Sequence, residues 1–109
     1  MLDIKENFIE HAKKYDNAIE EGNHKLANNL HGKLMVMYQR IKNEEKWDVL
    51  YELINSSNES VKLWAATFLL NKDKETALEV LNTLKKSKKI IGLTASTIID
   101  MWNKSLLQL

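Results

Sequence analysis

The stretch Glu59-Ser60-Val61-Lys62-Leu63-Trp64-Ala65-Ala66-Thr67-Phe68-Leu69-Leu70-Asn71 decides the fold class. Its apolar residues leave almost no polar face at the 3.6-residue period. A helix that is apolar nearly all round is buried on several sides. The segment is therefore expected to be the central helix of the chain, with neighbours on both flanks. Ahead of it, Asn55-Ser56-Ser57-Asn58 is a turn by composition. Ser56 stands three residues before Glu59, the spacing of a capping box.

Amphipathic helices are predicted on either side of this segment. Ile4, Phe8, Ala12, Tyr15 and Ile19 recur at steps of three and four over a first helix of about residues 3–21. Gly22 is a natural stop for it, and Asn23 suits the N-cap of the next. That second helix, about residues 24–42, carries Leu26, Leu30, Leu34, Met37, Tyr38 and Ile41. Gly32 inside it suggests either the close approach of another helix or a tolerated defect. Asn43, followed by Glu44 and Glu45, is expected to cap a third helix bearing Trp47, Leu50, Leu53 and Ile54. Asp73 is expected to cap a fifth helix, with Ala77, Leu78, Leu81 and Leu84. A sixth carries Ile91, Ala95, Ile98, Ile99 and Trp102, and the apolar tail Leu106, Leu107 and Leu109 is expected to dock.

Composition agrees. The 109 residues hold no proline and three glycines, too few turn formers for many short strands. The length fits one domain spanning residues 1–109, able to bury one core without staples. With no cysteine, disulfides and thiolate zinc sites are excluded. Residues 1–10 are charged and show no signal-peptide core. The longest apolar run, residues 63–70, is interrupted by Thr67 and too short to span a bilayer. The expectation is a soluble, cytoplasmic chain with no membrane partner. The net charge of +1 hides an asymmetry: residues 1–59 hold 8 Lys+Arg and 11 Asp+Glu, residues 60–109 hold 8 and 4. An acidic half precedes a basic one.

The third and fourth helices resemble the fifth and sixth. At a shift of 30, Val61, Leu63, Ala65, Thr67, Phe68 and Leu69 fall on Ile91, Leu93, Ala95, Thr97, Ile98 and Ile99. At a shift of 28, Leu50 and Leu53 fall on Leu78 and Leu81. A helix pair repeated at about 30 residues is the mark of an α-solenoid. The other arrangement such helices allow is an irregular six-helix bundle.

The segment Val61-Lys62-Leu63-Trp64-Ala65-Ala66-Thr67-Phe68-Leu69-Leu70 resembles a family of small bacterial HEAT-like repeat proteins known as a domain of unknown function, number two thousand and nineteen. Gly22-Asn23-His24 through Ala27-Asn28-Asn29, Thr76-Ala77-Leu78-Glu79-Val80-Leu81, and Ala95 through Met101-Trp102 are similar to its other elements. The sequence departs from the pattern at Lys62, where the family has arginine, and at Asn23, where it has aspartate. The resemblance covers nearly the whole chain and implies a short α-solenoid of HEAT-like antiparallel helix pairs. It implies no activity.

Constellations that carry chemistry are few. His11, His24 and His31 form no His-x-x-x-His pair, and no metal or cofactor is expected. There is no nucleophile elbow and no glycine loop for phosphate, so an enzyme is not expected. Trp47, Trp64 and Trp102 sit at core spacing, though one of them suits a binding groove. The expected function is that of a protein–protein interaction module, an adaptor or an immunity-type binding protein. Its candidate surface is the second helix of each repeat: Lys62, Ala66, Thr67, Leu70, Ser96, Thr97 and Asp100. The alternative is nucleic-acid binding through the basic C-terminal half. Lys85, Lys86, Lys88 and Lys89 are the candidate phosphate ligands, and a solvated turn is the plainer reading of them.

Overall fold

The computed structural model describes residues 3–109; the first two residues of the charged N-terminal stretch lie outside it. Its architecture begins with caps. The Asp3 carboxylate accepts from the Glu6 backbone N–H at 2.8 Å and opens α1 (Ile4–Glu20). Gly22 ends that helix at φ +73°, the left-handed geometry a glycine adopts without a Cβ clash. Asn23 then accepts from Leu26 N–H and starts α2 (His24–Asn43). Four further helices follow: α3 (Trp47–Leu53), α4 (Glu59–Leu69), α5 (Lys74–Leu84) and α6 (Ile90–Asn103). No strand occurs among the described residues.

Two local expectations are corrected, and a choice left open at Gly32 is decided. Asn43 does not cap α3: it is the last residue of α2, and Lys46 stands before α3 with no side-chain cap. Glu44 is drawn instead into ion pairs with Arg40 and Lys46, and Glu45 turns the chain at φ 54°. Ser56 is not the cap of α4 either. The Asn58 side chain accepts from Val61 N–H at 3.0 Å, while Ser56 Oγ accepts from Asn58 N–H inside the turn. Gly32 marks no close approach, since a Cβ there would meet nothing within 4 Å. The close approach lies at Gly92, where a Cβ would stand 2.0 Å from the Ser87 carbonyl oxygen.

Helix α4 touches α1, α3, α5 and α6, as its all-round apolarity requires. Every residue from Leu63 to Leu70 is buried. Its first turn is tied to α1 by Ser60 Oγ, which donates to the Ala12 carbonyl at 2.7 Å. Aromatic rings fill the space between α1, α2 and α4. Tyr38 stacks on Phe68 with centroids 4.7 Å apart, and Phe8 meets Phe68 edge-on at 5.9 Å. One hydrophobic cluster runs through all six helices, and a small second one (Ala18, Ala27, Leu30) holds the α1–α2 end together. The radius of gyration is 12.9 Å, against about 13 Å for a folded chain of this length.

The turn between α3 and α4 matches that between α5 and α6 bond for bond. Ile54 N–H donates to Leu50, Asn55 to Glu52 and Ser56 to Leu53; Lys85 donates to Leu81, Lys86 to Thr83 and Ser87 to Leu84. Ser56 and Ser87 each accept from the N–H two residues on. The turns are offset by 31 (85 − 54), three residues more than the shift of 28 read from the sequence for Leu50 and Leu53.

Candidate functional site

The seven residues expected to form the interaction surface separate into two groups. Ala66, Thr67 and Leu70 are buried, at 0%, 3% and 1% exposure. Ala66 and Leu70 are core residues and present no surface. Thr67 spends its hydroxyl on the Leu63 carbonyl within α4. Lys62 and Ser96 are half-buried, while Thr97 and Asp100 are exposed. The cause is simple: α4 packs against α1, α3, α5 and α6, which leaves it little surface.

Thr97 and Asp100 belong to a real exposed stripe on α6. At 100° per residue, positions 90, 93, 97 and 100 fall within an arc of about 80°. Ile90 is 48% exposed and Leu93 is 71% exposed, which places two large apolar side chains in water beside them. Lys104 neutralises Asp100 at 3.0 Å. The sequence reading passed over Leu93 because the repeat alignment paired it with the buried Leu63.

At the N-terminal end of this stripe sits the lysine turn. Lys85, Lys86, Lys88 and Lys89 are all exposed, and none forms an ion pair within 4.0 Å among the described residues. Lys85 and Lys86 follow α5, where a cation suits the helix dipole. Lys88 and Lys89 precede α6, where it does not. The Gly92–Ser87 contact sets the turn close against α6. A small cleft of about 200 Å³ opens beside Lys89, between Asp16, Glu20 and Glu59. Partial burial raises the Asp16 carboxyl above its usual range; Glu20 and Glu59 add to the rise and Lys89 opposes it.

A larger concavity lies elsewhere. A groove of about 630 Å³ has α4 as its floor, through Trp64, Thr67 and Phe68. Helix α2 (Asn28, His31, Met35), helix α6 (Thr94, Ile98, Met101), Tyr15 of α1 and residues 106–109 also line it. The tail docks in part: Leu107 and Leu109 pack on the core and Asn71 donates to the Leu109 carbonyl at 3.4 Å, while Leu106 stays 61% exposed. Trp64 is 5% exposed and ringed by Tyr15 (5.0 Å, edge-on), His31 (5.3 Å) and Phe68 (5.7 Å). Its indole N–H has no hydrogen-bond partner. A buried donor left unpaired costs about 1–3 kcal/mol. Burial also raises the Tyr15 hydroxyl above its usual range.

Elsewhere, Tyr51 donates to the Asp73 carboxylate at 2.8 Å, which raises the tyrosine and lowers the aspartate. Asp73 also caps α5 through Thr76 N–H. No three His, Asp or Glu side chains among the described residues gather as a metal ligand set. No described helix is long and apolar enough to cross a membrane. No protein-family model matches the chain, and no curated protein or solved structure matches it.

Proposed function

We propose that this chain is a protein-interaction module that docks an acidic amphipathic helix on the outer stripe of α6. The observation that carries the reading is the placing of Ile90 and Leu93 in water, on one arc with Thr97, directly beside four unpaired lysines. Apolar anchors spaced three and four apart are what a helical partner reads. Lysines held at the N-terminus of α6 against its dipole are best relieved by carboxylates arriving from outside. The fold reading that goes with it is a short α-solenoid of HEAT-like pairs, α1–α2, α3–α4 and α5–α6, akin to the family that the Trp64-Ala65-Ala66 segment resembles. The matching turns at an offset of 31 support it.

The test uses a fluorescein-labelled helical peptide with leucines at i, i+3, i+4 and i+7 and glutamates elsewhere, read by anisotropy. Leu93→Asp should abolish binding with the fold intact, since Leu93 is exposed. Replacing the four lysines with serine should weaken binding about tenfold. If the peptide ignores Leu93→Asp, while a DNA duplex binds with a steep salt dependence that the lysine variant removes, the chain is a nucleic-acid binder.

A further inference from the structure

We propose that the outer face of α2 is a binding surface for double-stranded DNA, with the middle of the helix laid in the major groove. This surface is separate from the α6 stripe and stands whether or not a protein partner docks there.

Three features point to this partner. The first is charge. Helix α2 carries Lys25, Lys33, Arg40 and Lys42 and no aspartate or glutamate, in a chain with 15 acidic residues. All four cations are exposed, and Lys25 and Lys33 form no ion pair within 4.0 Å among the described residues. Glu20 and Glu21 precede the helix and Glu44 and Glu45 follow it, with Glu44 held by Arg40 and Lys46. Where the face meets α1, the groove beside Lys33 and Arg40 is lined by Ile4, Asn7 and His11 and by no carboxylate. A row of phosphates is the complement of such a face. The second feature is the glycine. Gly32 weakens the middle of the helix, yet a Cβ there would meet nothing within 4 Å, so no neighbour within the chain requires it. Glycine lets a backbone come close to a ligand. At 100° per residue, positions 25, 28, 29, 32, 36 and 39 share an arc of about 100°, with Gly32 near its middle. All six residues are exposed. The third feature is what surrounds the glycine. The amides of Asn28, Asn29 and Gln39 both donate and accept, as adenine requires in the major groove, and Val36, 70% exposed, suits a thymine methyl.

The dimensions agree. The 20 residues of α2 rise about 30 Å, close to one turn of B-form DNA, and a helix about 10–12 Å across matches a groove about 12 Å wide. Helix α2 packs principally on α1, which leaves its opposite side clear. Other occupants fit less well. The major groove of duplex RNA is too narrow for a helix. A single strand stacks its bases on aromatic rings, and the arc carries none. A second copy would bring Lys25 and Lys33 against the same cations. A protein helix or a lipid surface calls for several apolar anchors, and the arc has Val36 alone.

The experiment uses the full chain and a fluorescein-labelled DNA duplex of mixed sequence, about 20 base pairs long, read by anisotropy between about 50 and 200 mM salt. The logarithm of affinity should fall against the logarithm of salt with a slope of about −3, the value for three phosphates neutralised. Lys25→Ser together with Lys33→Ser should reduce that slope by about 2 and weaken binding about tenfold. Gly32→Leu, whose Cβ meets nothing in the free chain, should weaken binding about tenfold while the denaturation midpoint holds or rises, so unfolding cannot account for the loss. An RNA duplex of the same sequence should bind about tenfold more weakly than the DNA. Leu93→Asp should leave duplex affinity unchanged, so this proposal and the α6 reading fail separately. No duplex binding at about 50 mM salt would overturn the proposal. So would binding that survives Gly32→Leu and is removed by serine at Lys85, Lys86, Lys88 and Lys89. Equal affinity for the RNA duplex would overturn the placing of α2 in the groove. A glutamate-rich peptide that binds in place of the duplex and is lost in Gly32→Leu would give the face to an acidic protein instead.

Discussion

Gly92 and Ser87 are in backbone contact so close that the space for a Cβ does not exist: the carbonyl oxygen of Ser87 would lie 2.0 Å from it. The atom in the way belongs to main chain, so it cannot swing aside. Gly92→Ala should destabilise the fold by about 1–3 kcal/mol through overpacking. Gly32 makes the opposite prediction. It lies inside α2 with open space around it, so Gly32→Ala should stabilise by about 0.5–1 kcal/mol. Urea denaturation of the two variants checks both signs. Equal midpoints would mean that the turn is not seated on α6.

Trp64→Ala should lose about 3–5 kcal/mol, the range for removing a buried aromatic side chain. Ala65→Leu should lose about 1–3 kcal/mol, because Ala65 is fully buried in a helix touched on four sides. Lys62→Ala, at a half-buried position without an ion pair, should stay within about 0.5 kcal/mol. A Trp64→Ala midpoint equal to that of the wild type would place the indole on the surface.

What was legible in the sequence follows from what makes each feature local. The central place of α4 was legible because an apolar run without a polar face can only be enclosed. The stop at Gly22 and the caps at Asn23 and Asp73 were legible because each works through its own side chain or φ. The α2–α3 boundary was not. Asn43 and Glu44 carry cap-like chemistry, but Ile41 is fully buried and Glu44 pairs back to Arg40 as well as forward to Lys46, and α2 runs through Asn43. The exposed pair on α6 was hidden for a similar reason. Leu93 looks like a core residue when a shift of 30 pairs it with the buried Leu63, and only the packing of α6 shows that nothing covers it. The groove was beyond reach, since Asn28, Trp64 and Met101 meet only in the folded chain.

Acid should favour the fold at one position. The Asp16 carboxyl is raised above the usual aspartate value of 3.8, first by burial and then by Glu20 and Glu59. A carboxyl held higher in the folded than in the unfolded state opposes folding once ionised. Its penalty is absent below the unfolded value and develops as pH rises through the folded one. Asp16→Asn should therefore raise the denaturation midpoint at pH 7 and leave it unchanged near pH 3. An increase that is the same at both pH values would come from something other than ionisation.

Tyr38 offers the sharpest test of the core. It is fully buried, stacked on Phe68 and edge-on to Trp47 at 6.3 Å, yet its hydroxyl has no hydrogen-bond partner. Removing that oxygen keeps the ring stack, deletes an unpaired polar group and leaves a void of one atom. The unpaired hydroxyl costs about 1–3 kcal/mol, whereas a one-atom void among aromatic rings costs less than losing a whole methylene, about 1 kcal/mol. The first effect wins, so Tyr38→Phe should leave the fold unchanged or more stable by up to about 1–2 kcal/mol. Thermal and urea unfolding of the single variant measure it. A loss greater than about 1 kcal/mol would reveal a partner for the hydroxyl, such as a buried water, and the core at α2 and α4 would then be polar at its centre.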